Sequence, residues 1–127
     1  MSRAARLPRP AAGPVPDAAR IAEMHSHAGD AAQLLKALGN EQRLLVLCNL
    51  LAGPLSVGEL NERVELSQSA LSQHLAVLRE DELVATRRES QTIYYRVASE
   101  AVASVLSALH GIYCRPRAPA PTDAPVA

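Results

Sequence analysis

The stretch Ser67-Gln68-Ser69-Ala70-Leu71-Ser72-Gln73-His74-Leu75-Ala76-Val77-Leu78-Arg79 holds side chains whose types and spacing suit one kind of chemistry. On a helix, Leu71, Leu75 and Leu78 stack into one inward stripe. Ser69, Gln73 and Ala76 then occupy the centre of the opposite face, flanked by Ser72. A helix face that only meets water usually carries Glu and Lys. Short hydroxyls, one amide and one methyl instead let a helix come close to the edges of base pairs. Gln pairs bidentately with adenine, Ser serves either base type, and Ala touches a thymine methyl. The same residues also fit an ordinary small-polar surface, so the flanking elements decide between the two. The chain has two thiols, Cys48 and Cys114. Cys48 lies among leucines, the setting of a small core hydrophobe or of a shielded redox thiol. Cys114 follows His110 by four residues, one helical turn, and precedes Arg115 and Arg117.

The elements that position these groups are legible in order. Ala31, Leu34, Leu35 and Leu38 give the spacing of a buried stripe on a first helix, Ala18 to Leu38, with an interruption expected near Gly29. Gly39-Asn40 ends it. A second helix, Glu41 to Leu51, carries Leu44, Leu47, Cys48 and Leu51 on one face and stops at Gly53-Pro54. Ser56-Val57-Gly58-Glu59 has the S-x-x-E form of a capping box and opens a short third helix, with Val57, Leu60 and Val64 inward. Ser67 is the expected N-cap of the fourth. Two short helices joined by a tight turn, the second presenting small polar groups, form a helix-turn-helix pattern.

The period then changes to two. Val84-Ala85-Thr86-Arg87-Arg88 and Thr92-Ile93-Tyr94-Tyr95-Arg96-Val97 read as strands linked by Glu89-Ser90-Gln91, a hairpin wing with Arg87 and Arg88 near its tip. A last helix, Ser99 to Tyr113, has Val102, Val105, Leu106, Leu109 and Tyr113 as its apolar stripe, suited to pairing with a second copy. The expected fold is therefore mainly α with a small β-hairpin wing, a winged helix-turn-helix in the order helix-helix-helix-helix-strand-strand-helix, acting as a homodimer. The expected DNA-facing set is Ser67, Gln68, Ser69, Ser72, Gln73, His74 and Arg79 on the fourth helix, with Arg87, Arg88 and Gln91 in the wing.

Composition bounds the rest. A chain of 127 residues suggests one domain, and nearly half its residues are apolar, but without Phe or Trp the core must be built of Leu, Val and Ala. Eight of its nine prolines fall in residues 1–17 and 115–127, which read as disordered tails around a unit at 18–114. The formal net charge is zero, so any contact with DNA must use a local positive patch. No apolar run is long enough to span a membrane and no secretory h-region opens the chain, so a cytoplasmic protein is expected. No nucleophile elbow, phosphate-cradling glycine loop or metal-base helix motif is present, which argues against an enzyme.

Three runs together resemble the ArsR/SmtB winged helix-turn-helix repressors: Leu38-Gly39-Asn40-Glu41-Gln42-Arg43-Leu44-Leu45-Val46-Leu47, then Ser67 to Leu75, then Tyr94-Tyr95-Arg96. The resemblance covers about residues 28–114. It implies a homodimer joined by the first and last helices and a double-stranded DNA operator with an imperfect inverted repeat, released on binding an inducer. A two-fold dimer matches half-sites roughly 34 Å apart. The chain departs from the family's metal sensors. Val46 and Cys48 stand where metalloid sensors carry a C-x-C pair, and the last helix has His110 without the Asp and second His of a zinc site. His25 and His27 sit in a segment expected to be weakly structured. Zinc needs four ligands, or three and a water, so no metal site and no cofactor are expected.

The pair Cys48 and Cys114 is similar to that of the sulfide- and persulfide-responsive branch of the family, the BigR/SqrR/HlyU-like repressors. That similarity implies that reactive sulfur species are the inducer and that the two cysteines become joined by a disulfide or polysulfide bridge, controlling sulfide-oxidation or detoxification genes. Burial slows reaction of Cys48 with ordinary oxidants, while an imidazole and two guanidinium groups beside Cys114 favour attack by its sulfur. Cys114 is thus the expected first nucleophile and Cys48 the resolving partner. The rival reading keeps the fold and has the same cysteines bind a thiophilic ion, As(III) or Cu(I). A third is a DNA-binding module without a switch.

Overall fold

The computed structural model describes residues 17–114. The tails expected at 1–17 and 115–127 lie outside the described residues, except for Asp17. That residue is the N-cap of the first helix: its Oδ1 accepts a hydrogen bond from the Arg20 amide at 2.9 Å. The described chain divides into two units, residues 17–103 and 104–114.

The larger unit begins with α1 (Ala18–Leu38), which is continuous through Gly29 rather than interrupted there. A single mid-helix glycine costs about 1 kcal/mol, too little to break a helix of 21 residues. His25 and His27 therefore lie on a formed helix. Only Ala37 and Leu38 of α1 are buried. Leu35, expected inside, is 60% exposed, and Ile21 and Met24 are also exposed.

The corner between α1 and α2 (Glu41–Leu51) is closed by side chains. Asn40 caps α2, its Oδ1 accepting from the Gln42 and Arg43 amides at 2.9 and 3.0 Å. The Arg43 guanidinium turns back to donate to the carbonyls of Ala37 at 2.8 Å and Lys36 at 3.3 Å, which satisfies the last turn of α1. Replacing Arg43 with Met removes both bonds, leaving the Lys36 carbonyl only the Gly39 amide and the Ala37 carbonyl without the guanidinium, and is expected to lower stability by about 1–3 kcal/mol. The check is a lower urea midpoint at unchanged slope; an unchanged midpoint would show that water takes over both bonds.

The inward face of α2 differs from the expected stripe. Val46, Leu47 and Leu50 are buried, Leu44 and Cys48 are half-buried, and Leu51 is exposed. This helix packs against α1, α3 (Val57–Arg63), α4 (Gln68–Glu80) and β3 (Thr92–Val97), so no single side of it is the inside. Gly53, with φ of +152°, lets the chain leave α2 into a short strand, β1 (Leu55–Ser56). Sequence periodicity cannot register two residues, and β1 turns the expected hairpin into a three-stranded antiparallel sheet in the order β1-β3-β2, where β2 is Val84–Glu89.

The capping box forms as expected. The Glu59 amide donates to Ser56 Oγ, and the Ser56 amide donates to Glu59 Oε1. Leu60 and Val64 are buried, while Val57 is half-buried.

The second unit, residues 104–114, holds most of α5 (Glu100–Tyr113) and ends on Cys114. Leu106 is fully buried, Val105 and Leu109 are half-buried, and Tyr113 is 57% exposed. No helix among the described residues is long and apolar enough to cross a membrane.

Candidate nucleic-acid interface

The turn from α3 into α4 is tight, and a side chain holds it. Asn61 Nδ2 donates to the Leu66 carbonyl at 2.8 Å, one residue before the Ser67 N-cap. Ser67 Oγ accepts from the Ala70 amide at 3.1 Å and lies 3.4 Å from Ser69 Oγ. From there α4 runs with two opposed faces. Leu71, Leu75 and Leu78 are at most 1% exposed, against Ser69, Ser72, Gln73 and Ala76 open to solvent. Burying each leucine favours the fold by about 1.5–3 kcal/mol, so the inner face holds the outer one in place.

A Schellman closure ends α4. The Glu82 amide donates to the Arg79 carbonyl and the Leu83 amide to the Leu78 carbonyl, both at 2.9 Å, with Glu82 in the left-handed region at φ +61°. Leu83 is buried, and the chain passes directly into β2. The wing follows without slack behind the helix it flanks. Its connection is shorter than expected: Glu89 pairs with Thr92, leaving only Ser90 and Gln91 in the loop, with Ser90 at φ +59°.

The residues expected to face DNA are placed as follows. Ser67, Gln68, Ser69, Ser72, Gln73 and Arg79 are exposed along α4, and His74 is half-buried beside the leucine stripe. In the wing, Arg87, Arg88 and Gln91 are exposed. Arg87 is engaged, its Nη2 lying 2.9 Å from Glu89 Oε2. Ser72 and Arg79 come together with Ala76, Glu80 and Tyr95 around a cleft of about 440 Å³ between α4 and the sheet. Sequence reasoning treated Tyr95 only as an aromatic of the motif and Glu89 only as a loop residue. The alternation of strand side chains, once the register is known, is the signal that places Tyr95 on the α4 side.

Of the thiols, Cys48 is half-buried within α2 and Cys114 is exposed, its amide donating to the His110 carbonyl at 2.8 Å. No disulfide joins them. Among the described residues no three His, Cys, Asp or Glu side chains are grouped to hold a metal ion.

Known proteins share this arrangement. The sequence model described as "Bacterial regulatory protein, arsR family" matches residues 40–86, from the α2 cap into β2. Transcriptional activator HlyU of Vibrio cholerae serotype O1 is 54% identical over 95 residues, 75% of this chain and 88% of that protein. The solved structure of its reduced form superposes with a TM-score of 0.69 at 55% identity, over 73% of this chain and 98% of the other. Nodulation protein NolR of Rhizobium meliloti is 52% identical over 72% of this chain and 75% of its own length. The transcriptional repressor BigR of Xylella fastidiosa gives a TM-score of 0.70 at 40% identity, covering 74% of this chain and 96% of that one. With a capped helix-turn-helix, a wing and relatives that match over most of their length, the chain belongs to the ArsR family of bacterial regulatory proteins, as a DNA-binding transcription regulator rather than an enzyme.

Proposed function

We propose that this regulator is a dimeric repressor that grips an inverted-repeat operator with α4 and lets go when Cys48 and Cys114 become linked by sulfur. The observation that carries the DNA half is the two-faced α4, with three fully buried leucines behind exposed Ser69, Ser72, Gln73 and Ala76. Exposed apolar side chains support the dimer: Ile21, Met24 and Leu35 on α1 and Tyr113 on α5. The resemblance to BigR, named a transcriptional repressor, supports the sense of regulation.

The sensor half rests on two thiols placed on two helices. Cys48 sits on α2, which packs directly on α4, so a covalent pull at Cys48 reaches the base-reading helix through one helix contact. HlyU was solved in a form described as reduced, which marks redox state as a variable in that relative. In the proposed reaction Cys114 sulfur attacks the outer sulfur of a low-molecular-weight persulfide RSSH, forming Cys114–SSH and releasing RSH. Cys48 sulfur then attacks the inner sulfur of that group and expels hydrosulfide. The sum is two thiols plus RSSH giving one disulfide, RSH and H2S. The cysteines are oxidised and the sulfane sulfur is reduced to sulfide.

The test begins with operator selected from a random duplex pool, followed by release assays with polysulfide, a disulfide reagent, As(III) and Cu(I) in parallel, each with intact-mass analysis. Release by polysulfide with a bridge between the cysteines supports the reading. Release with a stoichiometric arsenic or copper adduct moves the inducer to a thiophilic ion. Binding that no agent releases leaves a module without a switch. On the same operator, Gln73→Ala is expected to relax discrimination at one base pair by about 1–3 kcal/mol. Unchanged discrimination at every position removes Gln73 from the base-reading set.

A further inference from the structure

The register of the wing separates two arginines that are neighbours in sequence. Across the β2–β3 pair, Val84 faces Val97, Thr86 faces Tyr95 and Arg88 faces Ile93, so these six side chains share one face of the sheet. Val84 is buried on that face, β2 packs against α4, and Tyr95 lines the cleft with Ser72 and Arg79. Arg87 pairs with Tyr94 and Glu89 with Thr92 on the opposite face, where Arg87 and Glu89 make their ion pair with both side chains more than half exposed.

We propose that the two arginines have separate roles: Arg88 is the wing's contact with the DNA backbone, on the face it shares with Tyr95 and α4, and Glu89 holds Arg87 off the duplex. This rests on the DNA-binding reading above and adds to it a positioning residue, Glu89, that limits sequence-blind attraction. Arg88 stands opposite Ile93, which is 40% exposed and offers its aliphatic stem a surface to lie along while the guanidinium reaches outward. An exposed ion pair is a weak tie. Arg87 nevertheless brings its carboxylate with it, so the pair presents no net charge to a phosphate. Arg88 has no such partner within its own strand face, since Thr86 and Tyr95 are its neighbours there.

The experiment uses the full chain and a labelled mixed-sequence duplex of about three helical turns, with affinity measured across a salt series. Arg88→Gln is expected to weaken binding several-fold and to flatten the slope of log affinity against log salt by about 0.9 for each wing bound. Arg88→Lys keeps the slope, and removing the pair whole, in Arg87→Gln/Glu89→Gln, leaves both quantities as in the wild type, whereas Arg87→Gln alone bares the Glu89 carboxylate and weakens binding. Glu89→Gln frees Arg87 and steepens the slope, a gain that disappears in the Arg87→Gln/Glu89→Gln double variant. Equal flattening by Arg87→Gln/Glu89→Gln and by Arg88→Gln, or none by Arg88→Gln in a variant with an unchanged circular-dichroism melt, overturns the division. A Glu89→Gln gain that persists without Arg87 overturns the restraint, because Glu89 would then act as bulk charge alone. If the wild type shows no salt-dependent binding to any duplex, the DNA-binding reading itself fails.

Discussion

In a Cys48→Ser/Cys114→Ser double variant, polysulfide is expected to leave operator affinity where it was, while the wild type loses about 10–100-fold, the size of an ordinary allosteric coupling. Serine is close to cysteine in volume, Cys48 is only half-buried and Cys114 is exposed, so the variant should fold and bind as the reduced protein does. Each single variant divides the pathway. With Cys114→Ser, Cys48 retains one thiol that can take up sulfur but cannot close a bridge, and the reverse holds for Cys48→Ser. Both should stay on DNA, and intact mass should show sulfur added without loss of the two hydrogens that bridging removes. Release of the double variant by polysulfide would eliminate the thiols as the sensor while leaving the DNA-binding assignment standing.

Leu75→Ala is expected to cost about 2–5 kcal/mol, because the side chain is 1% exposed between Leu71 and Leu78 and its removal leaves a cavity that an aliphatic core fills poorly. For a domain of this size that is a fall in Tm of roughly 10–20 °C or more. The measurement is a thermal melt at fixed protein concentration, since the proposed dimer would melt at a concentration-dependent temperature. Gln73→Ala, two residues earlier on the outer face, should leave the melt almost unchanged. A loss of less than about 1 kcal/mol for Leu75→Ala would mean that α4 is not anchored by its leucine stripe.

What could be read from the chain was chemistry that acts within a few residues. Asn40, Ser56 and Ser67 cap helices because their side chains reach backbone amides two or three positions on, so the starts of α2, α3 and α4 were legible. The two faces of α4 were legible because leucines and small polar residues alternate there at helical spacing. The inward face of α2 was not. Leu44, Leu45, Val46, Leu47, Leu50 and Leu51 surround that helix with apolar groups, and only neighbours on several sides decide that Val46, Leu47 and Leu50 go in. Leu35 fits a helical stripe as well as Leu34 does, yet on α1, which packs on α2, it is Ala37 and Leu38 that are buried and Leu35 that is exposed. In the wing, Arg87 and Arg88 could not be told apart, nor Tyr95 placed, until the two-residue loop at Ser90-Gln91 set the register. A loop longer by one residue would have exchanged the faces. The candidate interface on α4 was therefore readable from local spacing, and its flank in the sheet was not.

The separation of inner and outer faces on α4 bears on how such regulators can diverge. Ser69, Ser72, Gln73 and Ala76 touch water, while Leu71, Leu75 and Leu78 touch only protein, within the same 13 residues. Where α4 reads the operator as proposed, promoter preference can therefore drift between descendants of one ancestral gene without eroding foldedness. Gene duplication would then yield new regulatory circuits by exchanging a few surface letters on a scaffold that tolerates the change.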